Sequence, residues 1–241
     1  MRSTVICHVY NEEYMLPFWL EHHARVFDHG IILDYRSTDA SAAIVARVCP
    51  TWEVRTSRNA MFDAAETDAE VMDVEASLDG VKMALNVTEF LFLPAGMTWK
   101  SYFPDGGVAP RCYRLEALAP VSEEANAPTT LAELLGGIRR VARGERMGHR
   151  FAHSHATGRY EVGRHASALE SEGMPGATLL WLGFYPWNER VLARKLQIRA
   201  NIPDADVRER FLILGQHTLT REQMEERHAA MVERSVPFAF L

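Results

Sequence analysis

Three short apolar runs, each closed by a polar loop, occupy the first ninety residues and leave few folds open to this chain. Val5 to Tyr10 is the first run, and Asn11-Glu12-Glu13 stops it with residues that favour loops and helix starts. From about Pro17 the residues Leu16, Trp19, Leu20, His23 and Phe27 recur at three- and four-residue spacing, which makes one helical face. Gly30 is expected to end that helix. Ile31-Ile32-Leu33 is the second run, Asp34 to Asp39 its polar end, and Ile44, Val45 and Val48 mark the next helix. Trp52-Glu53-Val54 reads as a further strand, Met61 to Leu78 as a helix, and Val81 to Leu85 as a strand ending in Asn86-Val87-Thr88-Glu89-Phe90. Strands alternating with helices at this pitch imply right-handed βαβ crossovers and a parallel sheet, and such sheets bind ligands beyond the carboxyl ends of their strands. The polar loops at Asn11, Asp34 and Asn86 therefore gather at one edge of the sheet.

The remainder is less periodic. The helix over Met61 to Leu78 carries seven acidic residues between Asp63 and Asp79 with no basic one, most of which read as a solvated face. Pro94 to Pro128 is rich in Pro and Gly and reads as an irregular excursion, with a short strand at Cys112 to Leu115. Thr130 with Glu133, and Thr220 with Gln223, are capping boxes that start helices. Gly158 to His165 reads as a strand and turn, and Trp187 to Lys195 as a helix ending in positive charge. At 241 residues one core suffices: residues 1–93 are expected to form the binding core and 94–241 the rest of the same domain, an acceptor-side elaboration.

Charge and cysteine usage remove several function classes. A net charge of −6 gives no broad attraction to nucleic acid or anionic lipid. Cys7, Cys49 and Cys112 form no short-spaced pair, against a disulfide framework or zinc ribbon and in keeping with a reducing cytoplasm. The run after Met1 lacks the pattern of a signal peptide, and no window is long and apolar enough to span a membrane. His149, His153, His155 and His165 lack the spacing of a metalloprotease helix and are expected on the surface or at an acceptor site. A sugar nucleotidyltransferase would open with a Gly-rich phosphate loop, which Asn11-Glu12-Glu13 is not.

The segment Val9-Tyr10-Asn11-Glu12-Glu13-Tyr14-Met15-Leu16-Pro17-Phe18-Trp19-Leu20-Glu21-His22-His23, followed by the loop Asp34 to Asp39, resembles the opening of a family-two-like group of bacterial glycosyltransferases with the GT-A fold. That group has Asn-Glu after its first strand, then Leu-Pro-x-Trp-Leu-x-His-His, then an Asp-x-x-Ser-x-Asp loop. The resemblance implies a Rossmann-like, mostly parallel sheet flanked by helices. It also implies a nucleotide-diphosphate sugar as donor and a saccharide or other hydroxyl as acceptor. Asn11, Glu12 and Asp34 would line the base and ribose pocket, with Ser37 and Asp39 shaping the neighbouring loop. The residue types suit this, since carboxylates accept hydrogen bonds from ribose hydroxyls and base N–H groups. His22 and His23 are expected to pack and meet solvent, and Asp39, taken alone, to cap a helix.

The pattern departs from the group at the third strand end. Relatives keep Asp-x-Asp-Glu-Phe there to hold a divalent cation against the diphosphate. This chain has Asn86-Val87-Thr88-Glu89-Phe90, with Asn86 and Thr88 in place of both aspartates. Three outcomes stay open: Mn or Mg held weakly through Asn86, Thr88 and Glu89; basic groups such as Arg164 and Lys195 in its place; or binding without transfer. Candidate base or donor-stabilising residues are Glu89, His165 and His217. The expected activity is glycosyl transfer with weak or no metal dependence, and the alternative is a non-catalytic nucleotide-sugar-binding or partner-binding protein on the same scaffold.

Overall fold

A computed structural model describes residues 1–59, 63–123, 126–143, 148–198 and 218–239. The elements in chain order are β1 (Ser3–Val9), α1 (Leu16–His23), β2 (His29–Asp34), α2 (Ser41–Val48), β3 (Glu53–Thr56), α3 (Ala64–Ala76), β4 (Val81–Ala84), β5 (Glu89–Phe92) and α4 (Trp99–Tyr102). There follow β6 (Cys112–Val121), α5 (Leu131–Gly136), β7 (Arg140–Ala142), β8 (His149–His153), β9 (Glu172–Gly173), β10 (Thr178–Trp181), α6 (Glu189–Gln197), α7 (Arg221–Glu233) and β11 (Ser235–Pro237).

The fold is α/β. Strands β3, β2, β1 and β4 lie side by side and parallel, in register from Thr4 opposite His29 to Val9 opposite Asp34, and from Ser3 opposite Val81 to Ile6 opposite Ala84. Their order reverses between β1 and β4: the chain steps outward to β2 and β3, then α3 carries it back to β1's other edge. In open α/β sheets such a reversal opens a crevice at the strands' carboxyl ends. Beyond β4 the sheet continues antiparallel through β8 and β6 to β7 and β11, so residues after 93 extend the same sheet.

Both faces of β1 are covered. Val5, Cys7 and Val9 pack in the main core with Leu16, Trp19 and Leu20 of α1, while Ile6 packs with Ile31, Leu33, Val71, Val74 and Ala84 under α3. This two-sided burial explains the near-continuous apolar run. Among the described residues strand β5 pairs only with β10, and α1 lies along its other side. There Trp19 Nε1 donates to the Glu89 carbonyl at 3.0 Å, His22 Nε2 meets the Leu91 carbonyl at 2.7 Å, and the Leu91 N–H donates to His23 Nε2 at 3.3 Å. The His-His pair is thus buried and satisfies the open edge of β5; it does not reach solvent. Burial pushes both imidazoles toward the neutral form, His23 strongly.

Several local expectations change. Gly30 lies inside β2, where a Cβ would come 2.0 Å from the Trp52 ring, so its role is to admit that ring and not to end a helix. Cys112 to Leu115 opens a ten-residue strand, β6, that alternates buried Tyr113, Leu115, Ala117 and Ala119 with outward Arg114, Glu116 and Leu118. The acidic run from Asp63 to Asp79 is only partly solvated: Glu66, Asp73 and Asp79 are exposed, but Asp68, Glu70 and Glu75 are buried. Both capping boxes form, on α5 and α7.

Candidate functional site

The loops after β1 and β2 are stapled to each other. Asn11 adopts a left-handed backbone (φ 51°), which Asn tolerates better than most residues. Its Oδ1 accepts the N–H groups of Thr38 at 2.7 Å and Asp39 at 3.3 Å. The Asn11 N–H donates to Ser37 Oγ at 2.9 Å, and the Ser37 N–H donates to Asp34 Oδ1 at 3.1 Å. Asp39 splits its carboxylate, taking the Ser41 N–H at the start of α2 and the Glu13 N–H across the loop. Asp39 therefore caps a helix and also ties the two strand ends.

Glu12 is 5% exposed. Its N–H donates to Ser41 Oγ, and its carboxylate accepts from Arg194 Nε. Burial pushes its pKa up although the Arg194 charge opposes this. Helix α6 supplies Arg194, and one turn on Gln197 donates to the carbonyls of Tyr10 and Asn11 at 3.1 and 3.0 Å. Lys195 is buried on the same helix, its ammonium 3.9 Å from the Phe184 ring centre, and burial holds its pKa well below that of an ordinary lysine. Arg194 and Lys195 are accordingly packed against the β1 loop and the aromatic core instead of standing in solvent.

The third strand end is built from ion pairs. Arg150 of β8 forks Glu89: Nε donates to Oε2 at 2.9 Å and Nη2 meets Oε1 at 2.8 Å, with both side chains 4% exposed. Asn86 adds its N–H to Oε2 at 2.8 Å and its amide Nδ2 to Oε1 at 3.1 Å. Oε2 thus accepts two hydrogen bonds, and Oε1 accepts one and is paired with a guanidinium nitrogen, so both carboxylate oxygens are engaged. Asn86 Oδ1 in turn accepts from Arg164 Nη2 at 3.0 Å, and Arg164 Nη1 pairs with Asp68 of α3. Thr88 is buried, and its carbonyl accepts the Leu182 N–H at 2.7 Å.

His165 completes this end. Arg150 Nη1 lies 2.9 Å from its Nδ1. The two Nη1 hydrogens also meet the carbonyls of His149 and Arg164, and a guanidinium accepts nothing, so a hydrogen on Nδ1 would find no acceptor there and the neutral ring carries its hydrogen on Nε2. Burial of the ring and the Arg150 charge lower the His165 pKa to about 4. The residue is exposed, yet the ring is held. Gly148 has φ 73°, and a Cβ there would fall 2.3 Å from His165 Nδ1, so glycine makes the berth for the imidazole.

Helix α3 orders the segment that brings Arg164 and His165 here. Asp68 accepts the Gly163 N–H at 2.6 Å as well as Arg164, while Glu75 accepts the Gly158 N–H and the Tyr160 hydroxyl, both at 2.7 Å. Positions 68 and 75 share a helix face, so two carboxylates grip one excursion at two points. His153 Nε2 is 3.2 Å from Glu75 and wholly buried, not a surface group.

Among the described residues the fold gathers Asn11, Glu12, Asp34, Ser37 and Asp39 at the first two strand ends, and Asn86, Thr88, Glu89, Arg164 and His165 at the third. Lys195 lies behind the β1 loop. His217 falls outside the described residues. Sequence reasoning missed Arg150 and Asp68, and it had Arg194 facing a diphosphate or solvent instead of Glu12; the three bond to groups 61, 96 and 182 positions away, and no local pattern marks such pairs.

No family model matches the chain, and no curated protein does. Solved structures of TarS from S. aureus are similar at low identity. One fragment, TarS 1-349, is 11% identical with a TM-score of 0.40 over 97% of this chain and 71% of that one. The same fragment in complex with UDP-GlcNAc is 12% identical, with a TM-score of 0.31 over 58% of this chain and 39% of that one. A further TarS structure is 16% identical, with a TM-score of 0.33 over 54% of this chain and 23% of that one. In those last two comparisons the chain spans well under two thirds of its counterpart. No helix of the described residues is long and apolar enough to cross a membrane.

Proposed function

We propose that this chain is a nucleotide-sugar-dependent glycosyltransferase that moves a sugar from a nucleoside-diphosphate sugar to an acceptor hydroxyl. One observation carries the reading. The strand order reverses between β1 and β4; the two segments of the opening resemblance, Asn11-Glu12 and Asp34 to Asp39, follow β1 and its neighbour β2, and Asn86 to Glu89, where the pattern departs, follows β4. Asp34 supports a ribose-binding role, because Ser37 occupies Oδ1 and no described residue donates to Oδ2. Asn11, Ser37 and Asp39 serve the same pocket by fixing the loops around it.

In the reaction the acceptor oxygen bonds to the anomeric carbon as the bond to the diphosphate oxygen breaks, and the acceptor proton passes to a base. A second reading, a non-catalytic nucleotide-sugar-binding protein, has one observation in its favour. Neither Glu89, engaged on both oxygens by Arg150 and Asn86, nor His165, with its hydrogen on Nε2, offers an unengaged atom to take the proton of an acceptor hydroxyl. Incubating the purified full chain with a panel of nucleotide sugars and acceptors separates the readings, with nucleoside diphosphate release and thermal shift as readouts. Release identifies the transferase, whereas stabilisation without release identifies the binder. Asp34→Ala should abolish the thermal shift, and an unchanged affinity would remove the pocket assignment.

A further inference from the structure

The group resembled in sequence implies a divalent cation at the third strand end, and the residues present do not fit one. Both oxygens of Glu89 are engaged by Arg150 and Asn86, Asn86 Oδ1 accepts from Arg164, and a dication would sit beside two guanidinium groups of like charge. Charge counting agrees with the geometry. Here Asn86 and Thr88 are neutral, Arg150 balances Glu89, and Arg164 balances Asp68, so these pairs leave no net negative charge for a dication to neutralise.

We infer that this strand end takes the phosphates of a nucleotide through protein hydrogen-bond donors, with His165 Nε2–H in front and Arg150 fixing its tautomer, and without a divalent cation. The inference rests on the nucleotide-binding reading above. His165 has the properties such a donor needs. Its ring is seated against Gly148, its Nδ1 faces Arg150 at 2.9 Å, the residue is exposed, and no described residue takes the hydrogen on Nε2. Oriented N–H donors that need no rearrangement can stabilise phosphate charge as a metal would. Arg150 is itself immobilised by Glu89 and by the carbonyls of His149 and Arg164 at 2.9 and 3.0 Å, so the tautomer is set by a rigid group.

The test is calorimetric titration of the full chain with the diphosphates of uridine, guanosine, adenosine, cytidine and thymidine, in EDTA and again in manganese. The expected result is one preferred nucleotide whose Kd changes by less than about threefold between the two buffers. His165→Ala should weaken it about tenfold, and His165→Gln, which restores an N–H donor, should recover most of the loss. Nitrogen-15 NMR of the histidine rings should show His165 with hydrogen on Nε2, and Arg150→Met should release that preference. Binding that appears only with manganese overturns the inference and leaves the nucleotide reading standing. Metal-independent binding indifferent to His165→Ala overturns the role of His165. Binding of no diphosphate in either buffer overturns both the reading and the inference.

Discussion

At the first two strand ends, side-chain oxygens of Asn11, Ser37 and Asp39 take backbone N–H groups from the facing loop, whereas at the third two arginines are locked to two carboxylates from distant elements. The first kind of joint is neutral where it uses Asn11 and Ser37, lies at the protein surface, and closes over a separation of 26 or 27 residues. The second is charged, almost fully buried, and spans 61 and 96 residues. A surface staple can be lost at modest cost because water replaces a partner. A buried ion pair cannot be halved in that way, since the partner left behind is an unsolvated charge.

The sharpest way to break this contrast is Glu89→Ala, which strands the Arg150 guanidinium. Chemical denaturation should show a loss of about 3–5 kcal/mol, and a loss below about 1 kcal/mol would mean that water reaches the pair. Asp68→Ala comes next, at about 3 kcal/mol, because Arg164 keeps its bond to Asn86. The double variant Asp68→Ala with Arg164→Ala should be more stable than Asp68→Ala alone, a comparison that a double-mutant cycle measures directly.

On the staple side, Asn11→Ala should cost about 1–2 kcal/mol, from the lost bonds to Thr38 and Asp39 and from alanine's aversion to φ 51°. Asn11→Gly should cost less, since glycine accepts that backbone freely. Equal losses for the two variants in thermal melts would show that the backbone conformation contributes nothing.

The smallest expected effect is a pH dependence. The folded chain holds His165 near pKa 4, below its ordinary 6.5, by burial and by the Arg150 charge. Between those values the unfolded chain binds more protons, so the stabilisation is complete above about pH 6.5 and is lost as pH falls toward 4. Glu70 acts in a lower window. Burial pushes it up, but bonds from His8, Ser57 and the Arg58 N–H outweigh that and hold it at about 2, so its contribution is lost between about pH 4.5 and 2. Unfolding midpoints followed from pH 7 to 4 should fall less steeply in His165→Gln than in the parent chain, and identical slopes would exclude His165 as a source.

What could be read in advance follows the same divide. The alternation of strands and helices through Ala84 was legible because each element buries an apolar face with its own period, and the capping boxes at Thr130 and Thr220 are contained within four residues. Strand β6 was legible only in part: its period-two pattern runs on to Val121, but the surrounding Pro and Gly residues suggested irregular chain. The acidic run on α3 looked like a solvated face because a sequence lists charges without their partners. Asp68, Glu70 and Glu75 are buried only because Arg164, the Ser57 to Asn59 loop and the Gly158 to Tyr160 turn fold onto them.

The sequence by itself determined the α/β class, the parallel direction of the first strands and the polar loops that close them, because apolar periodicity and turn chemistry act over a few residues. Only the tertiary structure decided what those strand ends hold. Whether Glu89 faces a metal ion or an arginine, and which nitrogen of His165 carries the hydrogen, depends on Arg150 arriving from a strand sixty residues on, by sheet pairing that no local pattern encodes.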